Sequence, residues 1–248
     1  MTDTIVKCLQ VGYLPTNCYI LACSKTMEGV IIDPGTLVGE EDRIIHVIDE
    51  LKVTLKFILN THGHPDHTSG NHAVKEHTRA QILVHEYDAP LLIEPWLGTR
   101  ELQALQKPHR CPVCGREELL RLEVKGNKAR MIADCGAVLI NAEISPPADR
   151  MLHESDHIEF GGLALAVLHT PGHTRGGISL YCEKKDVVFT GDTLFEGSWG
   201  RTDLPGSSEE EMIGSLKRLG SLPGKTVVYP GHGRHTSVGK EKKTNPYM

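Results

Sequence analysis

The chain has no long apolar run: nothing in its 248 residues approaches the roughly 20 consecutive apolar residues that cross a bilayer as a helix. It also lacks an excess of charge of either sign. Lys and Arg total 27 against 32 Asp and Glu, a formal net charge of −5, so no global field draws it to nucleic acid or to an anionic membrane. Its opening lacks a basic stretch followed by an apolar one; Met1 to Leu9 instead sets Asp3 and Lys7 into a strand-like run, which makes cytoplasmic residence the expectation. Internal repeats, low-complexity linkers and a Gly-x-Ser-x-Gly nucleophile motif are absent as well. With 39% hydrophobic and 24% charged residues, the composition is that of an ordinary globular enzyme domain occupying residues 1–248.

Against that plain background stands Thr61-His62-Gly63-His64-Pro65-Asp66-His67. It packs three imidazoles and a carboxylate into one short loop in the order H-x-H-x-D-H. In a chain with 14 His, about 0.002 matches to this pattern arise by chance. The preceding Leu55–Leu59 is a short apolar, β-prone run, so the loop opens at the carboxyl end of a strand, where open α/β sheets place their sites. His62 and His64, two apart, can turn to one side of an extended loop, while Asp66 and His67 face a second point. One loop can thus serve two metals, and imidazole nitrogen with carboxylate oxygen suits zinc or a similar first-row ion.

Three later positions repeat the construction of apolar strand, Gly or Pro-Gly turn, then ligand-type side chain. His173 follows Leu163–Leu168 and Pro171-Gly172, Asp192 follows Val187–Phe189 and Gly191, and His232 follows Val227–Tyr229 and Pro230-Gly231. Any one alone reads as a structured turn. Together with the first loop they make a constellation of seven.

With Asn17-Cys18-Tyr19, Ile31-Ile32-Asp33-Pro34-Gly35, Gly231-His232-Gly233 and Asn245-Pro246-Tyr247 added, the chain resembles the metallo-β-lactamase superfamily, and within it the hydroxyacylglutathione hydrolase (glyoxalase II) type. The resemblance implies an αββα sandwich of two mixed sheets with helices outside. It also implies two divalent ions, zinc foremost and iron or manganese next, with His62, His64 and His173 holding one, Asp66, His67 and His232 the other, and Asp192 bridging. Two ions about 3.5–4 Å apart lower the pKa of a bound water toward about 7 and so provide hydroxide for attack on a carbonyl. One ion would stabilise the oxyanion, with a metal or Asp66 managing the proton. The substrate class implied is a small acyl thioester, whose thiolate leaves with little acid help. Arg201 stands where glyoxalase II enzymes carry a basic residue for glutathione, with Asp203 in place of a nearby tyrosine. A hydrolase of another ester, lactone or phosphodiester is a further alternative. Persulfide dioxygenases of the same fold share a stretch like Gly200-Arg201-Thr202-Asp203 but keep a single iron, so filled positions Asp66, His67 and His232 favour hydrolysis.

Seven cysteines are an odd number for disulfides, and a cytosolic setting favours thiols or metal ligands. Cys8, Cys18, Cys23 and Cys182 lie in strand-like contexts and are expected in the core. Cys111-Pro112-Val113-Cys114-Gly115 has the form of a zinc knuckle, and Cys135-Gly136 follows a hairpin expected over Leu119–Val124 and Lys128–Ile132. If Cys135 is the second member of its pair, Ile132 occupies its partner's place. Cys111, Cys114 and Cys135 are therefore candidates for an additional structural zinc in an insertion spanning about 94–150. The fourth ligand would be a substitute such as Asp134, His109 or His153; otherwise the segment is a metal-free ribbon. Its place in chain order suggests that it borders the mouth of the site. The remaining scaffold includes an amphipathic outer helix over Gly39–Lys52, a capping box at Ser208–Glu211 opening a helix to about Leu219, and structural roles for His72, His77, His85, His169 and His235.

Overall fold

The computed structural model describes residues 4–93 and 108–248. Its first sheet runs in the order Thr4–Val11, Thr16–Cys23, Glu28–Ile32, Thr54–Leu59, Gln81–His85 and Arg150–Leu152. The second runs His157–Phe160, Leu163–His169, Ile178–Cys182, Val187–Gly191, Val227–Pro230 and Thr236–Ser237. Both are mixed: Glu28–Ile32 pairs parallel with Thr54–Leu59, and Val187–Gly191 parallel with Val227–Pro230, among antiparallel neighbours.

Alternation along the strands decides what each face covers. Tyr19, Leu21, Val30, Ile32 and Leu83 of the first sheet meet Leu165, Val167, Leu180 and Phe189 of the second in a single buried layer. The intervening residues Ile20, Ile31, Ile58 and Ile82 point the other way, against Ile44 and Ile48 of helix Glu41–Leu51 and Val74 of helix Asn71–Thr78. On the far side Val188 and Val228 receive Met212, Leu216 and Leu219 of helix Glu209–Gly220, and Val238 of helix Val238–Thr244. The layers are αββα, as the sequence resemblance implies. All eight residues of Thr16–Cys23 are buried, because this strand is covered on both faces.

Local signals are realised closely. The amphipathic helix runs Glu41–Leu51 and stops where Lys52 turns left-handed at φ 55°. Ser208 Oγ accepts the Glu211 amide at 3.2 Å, satisfying one of the free N–H groups at that helix start. The central hairpin spans Leu120–Lys125 and Lys128–Ala133, with Val138–Glu143 as a third strand. Cys18, Cys23 and Cys182 are buried, but Cys8 is exposed. It lies on the first strand of the sheet, which pairs only with Thr16–Cys23, and an edge strand leaves part of its surface to solvent. No helix among the described residues is long and apolar enough to cross a membrane. Residues 94–107, the start of the expected insertion, lie outside the described residues.

Candidate metal centre

Both sheets deliver the carboxyl ends of their strands to one edge. Strand Thr54–Leu59 leads into His62, His64, Asp66 and His67; Leu163–His169 into His173; Val187–Gly191 into Asp192; and Val227–Pro230 into His232. Backbone bonds pin the sheets together there: Asn17 N–H donates to Gly231 at 2.7 Å and Ile178 N–H to Thr61 at 2.9 Å. All seven sequence-predicted ligands therefore converge, although 170 positions separate His62 from His232.

Two clusters form. His62, His64 and His173 offer ligand atoms within 4.8 Å of one another, as do Asp66, His67 and His232. His173 Nε2 lies 2.9 Å from His64 Nδ1, and His67 Nε2 lies 3.3 Å from His232 Nε2. Asp66 Oδ2 is 3.5 Å from His67 Nε2 and 3.3 Å from His232 Nε2. Asp192 stands between the clusters, with Oδ2 3.6 Å from His173 Nε2 and 3.5 Å from His232 Nε2, and Oδ1 3.5 Å from His67 Nε2. Nitrogen and oxygen ligands about 2.0–2.2 Å from a tetrahedral ion sit about 3.3–3.6 Å apart, so most of these spacings are the edges such an ion requires.

Hydrogen bonds behind the rings fix which nitrogen faces inward. Thr61 Oγ1 gives its proton to Asp33 Oδ2 at 2.6 Å and so receives one from His62 Nδ1 at 3.2 Å. His67 Nδ1 donates to the same Asp33 oxygen at 3.0 Å, and His173 Nδ1 donates to the Arg201 carbonyl at 2.8 Å. In its neutral form each of the three rings would turn an Nε2 lone pair toward the cavity. His62 Nε2 and Asp192 Oδ1 are buried without a hydrogen-bond partner. Buried acceptors gathered around one cavity call for a cation among them, and this set of nitrogen and carboxylate donors fits metal ions.

The electrostatics agree. Burial, reinforced by the neighbouring imidazoles, pushes His62 and His64 well below the usual histidine range, so both are neutral ligands. Burial acts the same way on His67, but the carboxylates of Asp66, Asp192 and Asp33 outweigh it and raise that ring to about 10. Burial would raise Asp66, yet His67 and His232 hold it well below the ordinary carboxylate range. One half of the cavity thus resists a proton while the other demands positive charge.

Two buried carboxylates complete the site without having stood out as functional in the sequence. Asp33, 1% exposed, accepts Thr61 N–H at 2.8 Å in addition to the two bonds above. Asp88 ties the loop of His62 to that of His173, accepting Gly63 N–H at 2.9 Å and Gly176 N–H at 2.7 Å. For Asp33 a sequence signal existed, its place in the stretch Ile31-Ile32-Asp33-Pro34-Gly35 that helps carry the resemblance; in the structure it is held at φ 51°, a conformation few non-glycine residues adopt. Asp88 has no comparable signature. Asn60 supports the loop from beneath, donating to the His67 carbonyl at 3.2 Å.

Gly231 is demanded by close approach. A Cβ there would stand 2.3 Å from Asp192 Oδ1 and 2.8 Å from His67 Cε1. Gly231→Ala is therefore expected to displace the bridging carboxylate, lowering bound metal and costing about 1–3 kcal/mol of stability. Metal content and thermal unfolding measure both, and wild-type values in each would mean that the approach is less tight than described.

The profile of the Metallo-beta-lactamase superfamily matches residues 11–232, spanning all seven converging ligands. The chain belongs to that superfamily. An uncharacterized protein of Mycobacterium tuberculosis is 33% identical over 243 residues, covering 96% of this chain and 94% of its own. The hydroxyacylglutathione hydrolase GloC of Haemophilus influenzae is 30% identical over 245 residues, covering 97% and 98%. Among solved structures, TTHA1623 in a di-iron-bound form superposes with a TM-score of 0.72 at 30% identity, covering 98% of this chain and 100% of that one. ETHE1 from Myxococcus xanthus gives 0.67 at 28%, covering 98% and 83%. The superfamily is one of metallo-hydrolases, and the His and Asp clusters here are groups that could hold its metal ions.

Elsewhere the predicted residues divide. Arg201 binds Asp203 in a two-pronged pair, Nε to Oδ1 at 2.9 Å and Nη2 to Oδ2 at 2.8 Å, with the arginine side chain 47% exposed. The histidines given structural roles are engaged as expected where their contacts are seen: His72 with Glu143, His77 with Asp49, and His85 stacked on His169. Cys111, Cys114 and Cys135 come together, and of the suggested fourth partners neither Asp134 nor His153 joins them. Asp134 is exposed on its turn and His153 lies beside Glu86 and Asp156, while the side chain of His109 is outside the described residues. Ile132 is core, 6% exposed. The acid that reaches the three sulfurs is Glu118, brought in from the strand Glu117–Glu118 across the fold.

Proposed function

We propose that this protein is a dinuclear metallo-hydrolase that cleaves acyl thioesters of the hydroxyacylglutathione kind. The observation that carries the reading is Asp192, whose carboxylate reaches ligand nitrogens of both clusters at 3.5–3.6 Å. Such a shared ligand has a purpose when two ions sit side by side. Similarity to GloC supports the thioester class. In the net reaction water adds its oxygen to the acyl carbon and the C–S bond breaks, giving a carboxylic acid and a thiol.

His62, His64 and His173 would hold one ion, Asp66, His67 and His232 the other, with Asp192 between them. Zinc leads on donor chemistry, with iron or manganese as alternatives. When bound, two such ions supply an activated water and a Lewis acid for the carbonyl oxygen. The chain's own residues do the rest. The Asp33 and Thr61 bonds keep His62 and His67 from turning, and the Arg201 carbonyl does so for His173. Asp66, which also accepts Thr16 Oγ1–H at 3.3 Å, is the carboxylate placed to take up and return the proton. Cytoplasmic residence and a small-molecule partner accompany this reading.

The single-iron dioxygenase reading is weaker because the second cluster is complete, with Asp66, His67 and His232 at mutual distances of 3.3–3.5 Å. The deciding experiment offers S-lactoylglutathione and glutathione persulfide to the purified protein while thiol release, oxygen uptake and metal content are followed. Thiol release that chelation abolishes and zinc, manganese or iron restores is the expected result. Oxygen uptake with one iron per chain and no thioester cleavage would replace the proposal with the dioxygenase.

Arg201 would meet the anionic end of the substrate. Because its side chain is solvent-exposed and shared with Asp203, its contribution is modest. Arg201→Ala should raise KM for anionic thioesters about three- to tenfold and leave kcat within about threefold, as loss of uniform binding does. The backbone carbonyl that orients His173 survives the substitution. An unchanged KM across several anionic thioesters would remove Arg201 from the substrate site.

A further inference from the structure

Residues 108–149 build a small sheet of their own, Leu120–Lys125, Lys128–Ala133 and Val138–Glu143, with the short pair His109–Arg110 and Glu117–Glu118 beside it. Its buried cluster amounts to Cys111, Leu120, Met131 and Ala133, helped by partly buried Ala137, Leu139 and Ile140. Units of about 40 residues rarely hold together on so little apolar surface and usually need a disulfide or a metal. No disulfide joins Cys111, Cys114 or Cys135, the cysteines of this segment.

Cys111, Cys114, Cys135 and Glu118 lie with one ligand atom each within 4.8 Å of all the others. They come from the turn that joins Cys111 to Cys114, the short strand Glu117–Glu118 and the turn that holds Cys135. Cys111 Sγ is 3.6 Å from Cys135 Sγ and Cys114 Sγ is 3.3 Å from Glu118 Oε1. Tetrahedral zinc with sulfur about 2.3 Å away and oxygen about 2.0–2.2 Å away sets sulfurs about 3.8 Å apart and sulfur and oxygen about 3.5 Å apart. The observed edges fall within a few tenths of an ångström of those values. Backbone N–H groups of Cys114 and Val113 favour the Cys111 thiolate, and that of Ala137 acts the same way on Cys135, where Glu118 and the neighbouring thiols outweigh it and hold the proton. Glu118 is fixed in position to serve as a ligand. Its side chain is 7% exposed, Arg116 contacts Oε1 at 3.2 Å, and Cys135 N–H donates to Oε2 at 2.5 Å.

We propose that this segment is a structural metal site of the zinc class, with Cys111, Cys114 and Cys135 as thiolate ligands and Glu118 as the fourth, separate from the catalytic pair. Metal binding releases the thiol protons to solvent and involves no electron transfer. Its role is to fold the segment, because the ligands join two turns and a strand that the small core cannot fasten alone.

The test uses the full chain. A His62→Ala, His232→Ala double variant, whose catalytic metals are lost or weakened, is expected to keep one zinc per chain that a mercurial thiol reagent releases. Loaded with cobalt, the same variant should show a strong near-ultraviolet thiolate-to-cobalt charge-transfer band. Glu118→Ala should lose zinc to a chelator at least about tenfold faster, and Glu118→Cys should restore retention by completing four thiolates. A double variant with no thiol-releasable zinc and no charge-transfer band would overturn the site, as would a native mass lower by two hydrogens from a Cys111–Cys135 disulfide. Wild-type zinc retention in Glu118→Ala would overturn the assignment of the fourth ligand. Because the first arm leaves every residue of the insert intact, misfolding of an insert variant cannot mimic its result.

Discussion

Asp192→Ala is expected to abolish hydrolysis, with kcat/KM falling by about a thousandfold or more, equivalent to about 4 kcal/mol of transition-state stabilisation. The magnitude follows from position. Asp192 faces His173 on one side and His67 and His232 on the other, so its removal takes a ligand from both ions at once and damages water activation and oxyanion stabilisation together. The fold should survive, because Asp192 lies on the rim of the sheets rather than in the apolar layer between them. Far-ultraviolet circular dichroism and unfolding temperature check that point while metal analysis follows the loss of bound ions. Activity retained within about tenfold, or about 1.4 kcal/mol, would mean that the carboxylate does not bridge.

Asp33→Ala should show that a residue beyond the ligand set controls the second ion. Its carboxylate receives three bonds, from Thr61 N–H, Thr61 Oγ1–H and His67 Nδ1–H. Removal frees the His67 ring to rotate and unsettles Thr61, which orients His62. Loss of such a supporting carboxylate typically costs about 10–100-fold in metal affinity or activity, and the same range is expected here. Asp33 also sits at φ 51°, where alanine is strained by about 1–2 kcal/mol, so some destabilisation accompanies the change. Asp33→Asn removes the backbone part of the effect: asparagine tolerates that conformation, so the remaining cost, about 1–3 kcal/mol, and the reduced metal affinity report the amide nitrogen that faces a donor where a carboxylate oxygen accepted one. Unaltered affinity in both variants would show that His67 is oriented by packing alone.

The seven residues that converge could be named from the chain because each is announced by neighbours within a few positions: a short apolar strand, a turn rich in Gly or Pro, then an imidazole or carboxylate. The layers were legible for the same reason. Strand alternation at Ile20/Leu21 and Ile31/Ile32, the helical spacing of Ile44 and Ile48, and the cap at Ser208 are properties of local sequence, and the structure realises them within a residue or two.

Only the tertiary structure decided which distant groups meet. Asp33 reaches His67 across 34 positions and Asp88 reaches Gly176 across 88; neither pairing has a local signal, because the first depends on Glu28–Ile32 lying parallel beside Thr54–Leu59 and the second on how the two sheets lie against each other. Cys8 reads like its buried neighbours, yet its strand falls at a sheet edge, and edges are set by topology rather than by the residues on them. In the ribbon segment, cysteine spacing pointed to a metal site but directed the search for a fourth ligand to Asp134, His109 and His153. The turn containing Cys135 instead folds over Glu118, 17 positions earlier. Residue chemistry and turn propensity are written locally in the sequence, whereas partnership across the sandwich comes from the burial of apolar faces that carries remote loops to one rim.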